Sequence, residues 1–277
     1  MAEKPKKKKV VRVESTAPAA STGSASTDGG DDRPAGWKPT AEAKGKAIQF
    51  RIFAAIFWVL AIGTEVFAIF WILKPGLDEV AFPDSALYWL IGLLVVIGLL
   101  AWGGSFFWKK ANRLDPASRQ NKVGFFIQNQ LGVIITIIAF VPIIVLIFMN
   151  KNMDGKQKGI AGGIAIVLLV AVGLLSAEFD PVSSESMDEQ TQEVVALTGQ
   201  DSVVWTTHGK VYHLCDAVSD VNRESEDMTI FQGTVAEAVA AGKSRLTLKV
   251  DQNLEQCGYP PRGEAPVEEP VEEEPAE

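Results

Sequence analysis

Long apolar runs, rather than a helical or strand alternation, fill the middle of this chain. Four of them have limits near 47–73, 85–108, 123–149 and 159–177. A helix on the surface of a soluble bundle brings polar residues back every third or fourth position. Stretches such as Leu90–Trp102 and Val133–Met149 do not. At a rise of about 1.5 Å per residue the first three runs cross a bilayer with tilt, and the shorter fourth still spans. Trp71, Trp89, Trp102 and Trp108 lie near run ends, where interfacial anchors belong. The pattern predicts a four-helix transmembrane domain over 47–177. Its helices would pack through small residues: Gly159 with Gly163, Ala161 with Ala165, Gly132 with Thr136.

The pattern changes after residue 177. Residues 178–200 read as a linker with a short helix at Met187–Leu197, and Gly199 stands just past its end. Val203–Thr206 and Val211–Leu214 are β-rich runs around Thr207-His208-Gly209-Lys210, the pattern of a hairpin with Gly209 able to take positive φ. Thr234 opens a capping box with Glu237, and Gly242 ends the helix that follows. Leu246–Val250 alternates like a third strand. The expected appendage is a small α+β domain of ββαβ order at 201–259, a size at which a core alone is marginal. Its core would use Val204, Tyr212, Leu214, Val235, Val239, Leu246 and Leu248.

Charge adds orientation and two tails. Residues 1–46 carry ten Lys/Arg against six Asp/Glu, and residues 177–277 carry six against 22. The first segment, with its Lys6–Lys9 run, lacks apolar periodicity and is expected to be a disordered basic tail. No aromatic residue is interleaved with those lysines, so no nucleic-acid partner is expected. Residues 260–277 are Pro/Glu-rich and read as a disordered acidic tail. No secretory signal peptide is visible. Nine Lys/Arg fall on one side of the spans: Arg33, Lys38, Lys44, Lys46, Lys109, Lys110, Arg113, Arg119 and Lys122. Four fall on the other: Lys74, Lys151, Lys156 and Lys158. The positive-inside rule therefore places both termini in the cytoplasm of a multi-pass cell-membrane protein. Nothing basic lies between Lys158 and Lys210 to pin the last span.

Candidate chemistry is sparse. His208, His213, Cys215 and Cys257 have the ligand types of a zinc site, at poor spacing. The alternatives are a domain held by its apolar core, or a Cys215–Cys257 disulfide, which requires a location outside the cytoplasm. With both termini cytoplasmic, the two cysteines are expected to be free thiols. Asn150, Asn152, Asp154 and Gly155 fit the start of a calcium loop, but position 12 is Ala161 rather than Glu; a polar turn is the plainer reading. Glu65, beside Thr64, lies inside the first span, and an intramembrane carboxyl is a functional candidate by default. No cofactor motif and no nucleophile with an orienting partner appears, so no cofactor and no catalytic residue is assigned.

Three segments carry a resemblance: Trp108–Arg119, Asn150–Gly159 and Val204–His213. Over about 47–257 the chain resembles a family of little-characterised actinobacterial four-span membrane proteins. Its C-terminal part is similar to small Tyr-His modules related to the zinc domain of the Ada repair protein, through Tyr212, His213 and Gly233-Thr234. It departs from them at the cysteines: Cys215 is two places early, and Arg245–Lys249 stands where Cys-x-x-Cys is expected. In mass and topology it also resembles an accessory subunit of the actinobacterial cytochrome bcc/aa-type oxidase supercomplex. These resemblances imply a non-enzymatic structural or accessory subunit of a membrane complex, with lipid and other membrane subunits as partners. The alternative is a membrane-anchored sensor or metal-binding module.

Overall fold

A computed structural model describes residues 9–13, 37–74, 81–225 and 229–263. The chain divides into two units, one of residues 41–183 and one built from both ends of the chain.

The first unit is a bundle of α1 (Ala41–Phe67), α2 (Asp84–Leu114), α3 (Lys122–Met149) and α4 (Gly155–Ser176). A π-helical turn, Ala68–Leu73, extends α1, and Lys74 ends it at φ 42° with its N–H donating to Ile69 O. All four helices are long and apolar enough to cross a membrane, so the chain has the make-up of a multi-pass membrane protein. Only 28% to 39% of the apolar stretch of each is buried within the protein. The outward Ile52, Val59, Leu60, Phe70, Val167 and Leu174 require an apolar solvent. The buried stripe is continuous: Leu90, Leu94 and Ile97 of α2 meet Phe140, Ile143 and Ile147 of α3 and Ala161 and Ala165 of α4.

The helices run past the expected limits because polar groups tie their ends. At one end Arg51 bridges to Asp115 at 2.7 Å. There the Trp108 indole donates to Gln128 O at 2.6 Å, and Lys109 donates to Leu175 O and Ala177 O. At the other end Asn150 Nδ2 donates to Leu73 O, Phe82 N–H to Asn152 O, and Gln157 Nε2 to Phe82 O and Asp84. Trp71, Trp89 and Trp102 are exposed, as anchors are. Trp108 is half-buried instead: its ring packs on Trp58 and under the Arg51 guanidinium.

Small residues set the helix approaches, at partly different places from those expected. A Cβ on Gly132 would stand 2.9 Å from Ser105 Cβ and 3.3 Å from Ser176 Cβ, so this glycine draws α3 onto α2 and α4. Ala161 and Ala165 are fully buried. Gly159 and Gly163 face open space and pack nothing. Two close approaches the sequence pattern does not show are Gly104, on which the Trp58 indole lies, and Gly162, which the Phe148 ring meets.

The second unit has the order β1 (Lys9–Arg12), α5 (Ser184–Thr198), β2 (Val203–Thr206), α6 (Ser219–Glu224), β3 (Thr229–Gly233), α7 (Val235–Ala240) and α8 (Val250–Cys257). Its sheet runs β1-β3-β2, with β3 antiparallel to β2 and parallel to β1. The α5 helix, β2 and the Thr234–Glu237 capping box stand where they were predicted, with Gly199 and Gly242 at positive φ past the helix ends.

The ββαβ order does not. Residues 211–214 form no strand, only a bridge of His213 to Val204 and one of Tyr212 to Leu246, and Gly209 has no positive φ. Residues 246–250 do not form the third strand. Leu246 is buried but Leu248 is 78% exposed, and the chain turns into α8. The sheet is completed instead by β3 and by β1, a strand inside the segment expected to be disordered. Residues 1–8, 14–36 and 264–277, which include Lys6–Lys8 and most of the acidic tail, lie outside the described residues.

Candidate functional site

The four proposed zinc ligands do not come together. The His213–Val204 bridge fixes the segment that leads to Cys215, and α8 delivers Cys257 to it. Their Cα atoms are 5.9 Å apart and the sulfurs are bonded. This corrects the expectation of free thiols, and it removes both thiolates from any ligand set. His208 is exposed in its turn. His213 is buried, with Nδ1 3.3 Å from Asn253 Oδ1 and no partner for Nε2 among the described residues. Burial pulls the His213 imidazole below its ordinary range, partly offset by Asn253 and the nearby Glu224 and Asp220 carboxylates. Among the described residues no cluster of three His, Cys, Asp or Glu could hold a metal ion.

The surroundings of the bond are structural. Val204, Val218, Val221 and Ile230 pack beside the two half-buried cysteines. Asn253 Oδ1 also accepts from Leu214 N–H, Gln256 Oε1 accepts from Ser219 N–H, and Lys249 donates to Asp220 at 2.8 Å. That bond holds the Asp220 carboxyl below the usual carboxylate range. Burial raises the Tyr212 hydroxyl far above its ordinary range, and it donates to Gln190 Oε1 at 2.5 Å, fastening α5 to the unit. Burial also raises Asp201, whose carboxylate accepts from Val235 N–H at 2.9 Å.

The candidate calcium loop is a helix cap. Asn150 Oδ1 accepts from the N–H groups of Asn152 and Met153. Asp154 forms a capping box with Gln157, its Oδ1 accepting from Gln157 N–H at 2.7 Å. Asn150 Oδ1 and Asp154 Oδ1 are thus taken by backbone donors, which is the polar-turn reading.

Glu65 is the exception. It is 3% exposed among the helices, and its Oε1 has no hydrogen-bond partner among the described residues. The polar group beside its carboxyl is the backbone amide of Ile143, which follows the helix-interior Pro142 of α3. The π-helical turn begins three residues on. Thr64 turns outward and closes a bond to Leu60 O. A buried polar atom without a partner costs about 1–3 kcal/mol. Helix pairing among the described residues does not recover that cost.

No family model matches the chain, and neither a curated protein nor a solved structure does.

Proposed function

We propose that the chain is a non-enzymatic, structural or accessory subunit of a larger membrane complex. The observation that carries this reading is the use of its chemistry-bearing groups. Both cysteines staple a domain, Asn150 and Asp154 cap a helix, and Lys109, Trp108, Asn150 and Gln157 tie helix ends together. These are the roles of a scaffold. Each apolar helix also keeps most of its surface outward, for lipid and for neighbouring helices. The resemblance to an actinobacterial oxidase accessory subunit makes the respiratory supercomplex the first partner to test. A membrane-anchored sensor is the second reading, favoured by the buried, half-partnered His213.

Glu65 separates folding from assembly. Replacing a buried carboxyl with one unpartnered oxygen by an apolar side chain of similar reach removes an unsatisfied atom. Glu65→Leu is therefore expected to leave thermal stability equal or raised by about 1 kcal/mol. If Glu65 meets a donor on a partner subunit, the same variant loses complex on native gels of gently solubilised membranes, while Glu65→Gln retains it. A wild-type chain that migrates alone as a small species would refute the subunit reading. Equal complex yield for wild type and the Leu variant would remove Glu65 from the interface.

The proposed location is the cell membrane, with both termini cytoplasmic. The basic residues Arg51, Lys109, Lys110, Arg113 and Arg119 belong to the end of the bundle where α1 and α3 begin and α2 and α4 finish. The disulfide argues the other way, since such bonds persist mainly outside reducing compartments. The proposed orientation follows the charge argument. In intact cells, a cysteine placed at Gln120 should resist an impermeant maleimide and one at Lys156 should react. The reverse pattern would put the termini outside.

A further inference from the structure

The edge strand β1 is held differently from the rest of its sheet. All four residues of β2 are buried, whereas Lys9, Val10 and Arg12 are exposed and only Val11 is half-buried. Its attachment is the parallel ladder of Lys9–Arg12 against Thr229–Gln232, continued by Val13 N–H donating to Gln232 O at 2.9 Å. The other side of β3 is already paired to β2, from Val203↔Gly233 to Thr206↔Ile230. The core of the unit, including Val203, Val204, Trp205 and Ile230, comes from β2, β3 and the helices rather than from β1. In sequence, residues 13–40 separate β1 from the start of the bundle. Main-chain pairing on a sheet edge, with one side chain half sunk, is how extended peptides bind by strand addition.

We propose that the edge of β3, Thr229–Gly233, is a binding site for a short, extended, basic peptide, with Lys9–Val13 as its resident ligand, exchangeable for the same segment of a second copy of the chain. The β-branched Val10, Val11 and Val13 suit an extended backbone. Lys9 and Arg12 are basic, while residues 177–277 carry six Lys/Arg against 22 Asp/Glu, so the segment and the unit attract. Backbone bonds supply the affinity, and the single half-buried Val11 supplies little selectivity. The covalent link favours the chain's own segment by raising its effective concentration. A copy supplied from outside must therefore be abundant to displace it.

The test uses the full chain in detergent micelles, a chain lacking residues 1–13, and a synthetic peptide of residues 4–13. Amide hydrogen exchange is read at Thr229–Gly233 and at Val203–Thr206. Deletion is expected to speed exchange in β3 about tenfold and to leave β2 unchanged. Added peptide should restore β3 protection in the truncated chain, and displacing the resident segment of the full chain should need about tenfold more. A peptide with Val11→Pro, which loses an N–H and its strand geometry, should restore nothing. Four results would each overturn the proposal: unchanged β3 exchange on deletion, loss of β2 protection as well, no rescue by peptide, or rescue by the proline peptide. Equal peptide requirements for the two chains would show that Lys9–Val13 does not occupy the site.

Discussion

Opening the Cys215–Cys257 bond is expected to unfold the C-terminal unit while leaving the apolar helices folded. The bond joins residues 42 apart. A cross-link over a loop of that length restricts the unfolded chain by about 4 kcal/mol in the chain-entropy account. A core of this size supplies only a few kcal/mol net. Two further features concentrate the loss. The cysteines anchor the far end of α8, and α8 carries Asn253, the partner of His213 Nδ1 and of Leu214 N–H. Once α8 lifts, the segment around His213 loses its cover. Dithiothreitol, or Cys215→Ser, should therefore make Arg223, Arg245 and Lys249 rapidly susceptible to trypsin in the detergent-solubilised chain, with helicity of the bundle retained. Unchanged resistance after reduction would mean that the apolar core alone carries the unit.

The second large effect is expected at Gly104. Trp58 is 6% exposed, its indole donates to Ala101 O at 3.3 Å, and the ring crosses directly over Gly104 one turn along. Any Cβ at Gly104 would overlap that ring. Trp58 has little freedom to move, because Trp108 packs against it at 5.3 Å between ring centroids and Trp108 is itself bonded to Gln128 O. Gly104→Leu should therefore separate α1 from α2, at an overpacking cost of about 1–3 kcal/mol or more. It would appear as lost monodisperse protein and a lowered unfolding midpoint. Gly92→Leu is the matched control, since nothing lies within 4 Å of a Cβ there. Equal behaviour of the two variants would show that the α1–α2 approach is not set at Gly104.

The spans were legible because eighteen or more apolar residues in a row have few alternatives. Their ends were not. Residues 109–114 include Lys109, Lys110, Asn112 and Arg113, and they stay helical because Trp108, Lys109 and Asn112 have carbonyls on other helices to bond, which no local pattern records. In the second unit the Thr234 box was readable because its bonds are three residues apart. Leu246–Val250 misled because alternation counts equally for a strand and for a turn that buries Leu246 and exposes Leu248. The short α8 carries too few apolar positions for a period to show. Lys9–Arg12 could not be found at all, since its partner Thr229–Gln232 is more than two hundred positions away and strand identity is settled by the neighbour. At the candidate site, the residue types of His213, Cys215 and Cys257 were clear in sequence; which of them pair was decided by α8.

The two ends of the bundle are fastened by different chemistry, and they should answer to ionic strength differently. Arg51–Asp115 and Lys109 with Glu178 join helices through charges about a quarter exposed, which added salt screens. The opposite end is closed by Asn150, Gln157 and the Phe82–Asn152 backbone bond; of these bonds only the one from Gln157 to Asp84 involves a charge. One end of the molecule is thus tunable by its electrolyte, and the other is nearly indifferent to it.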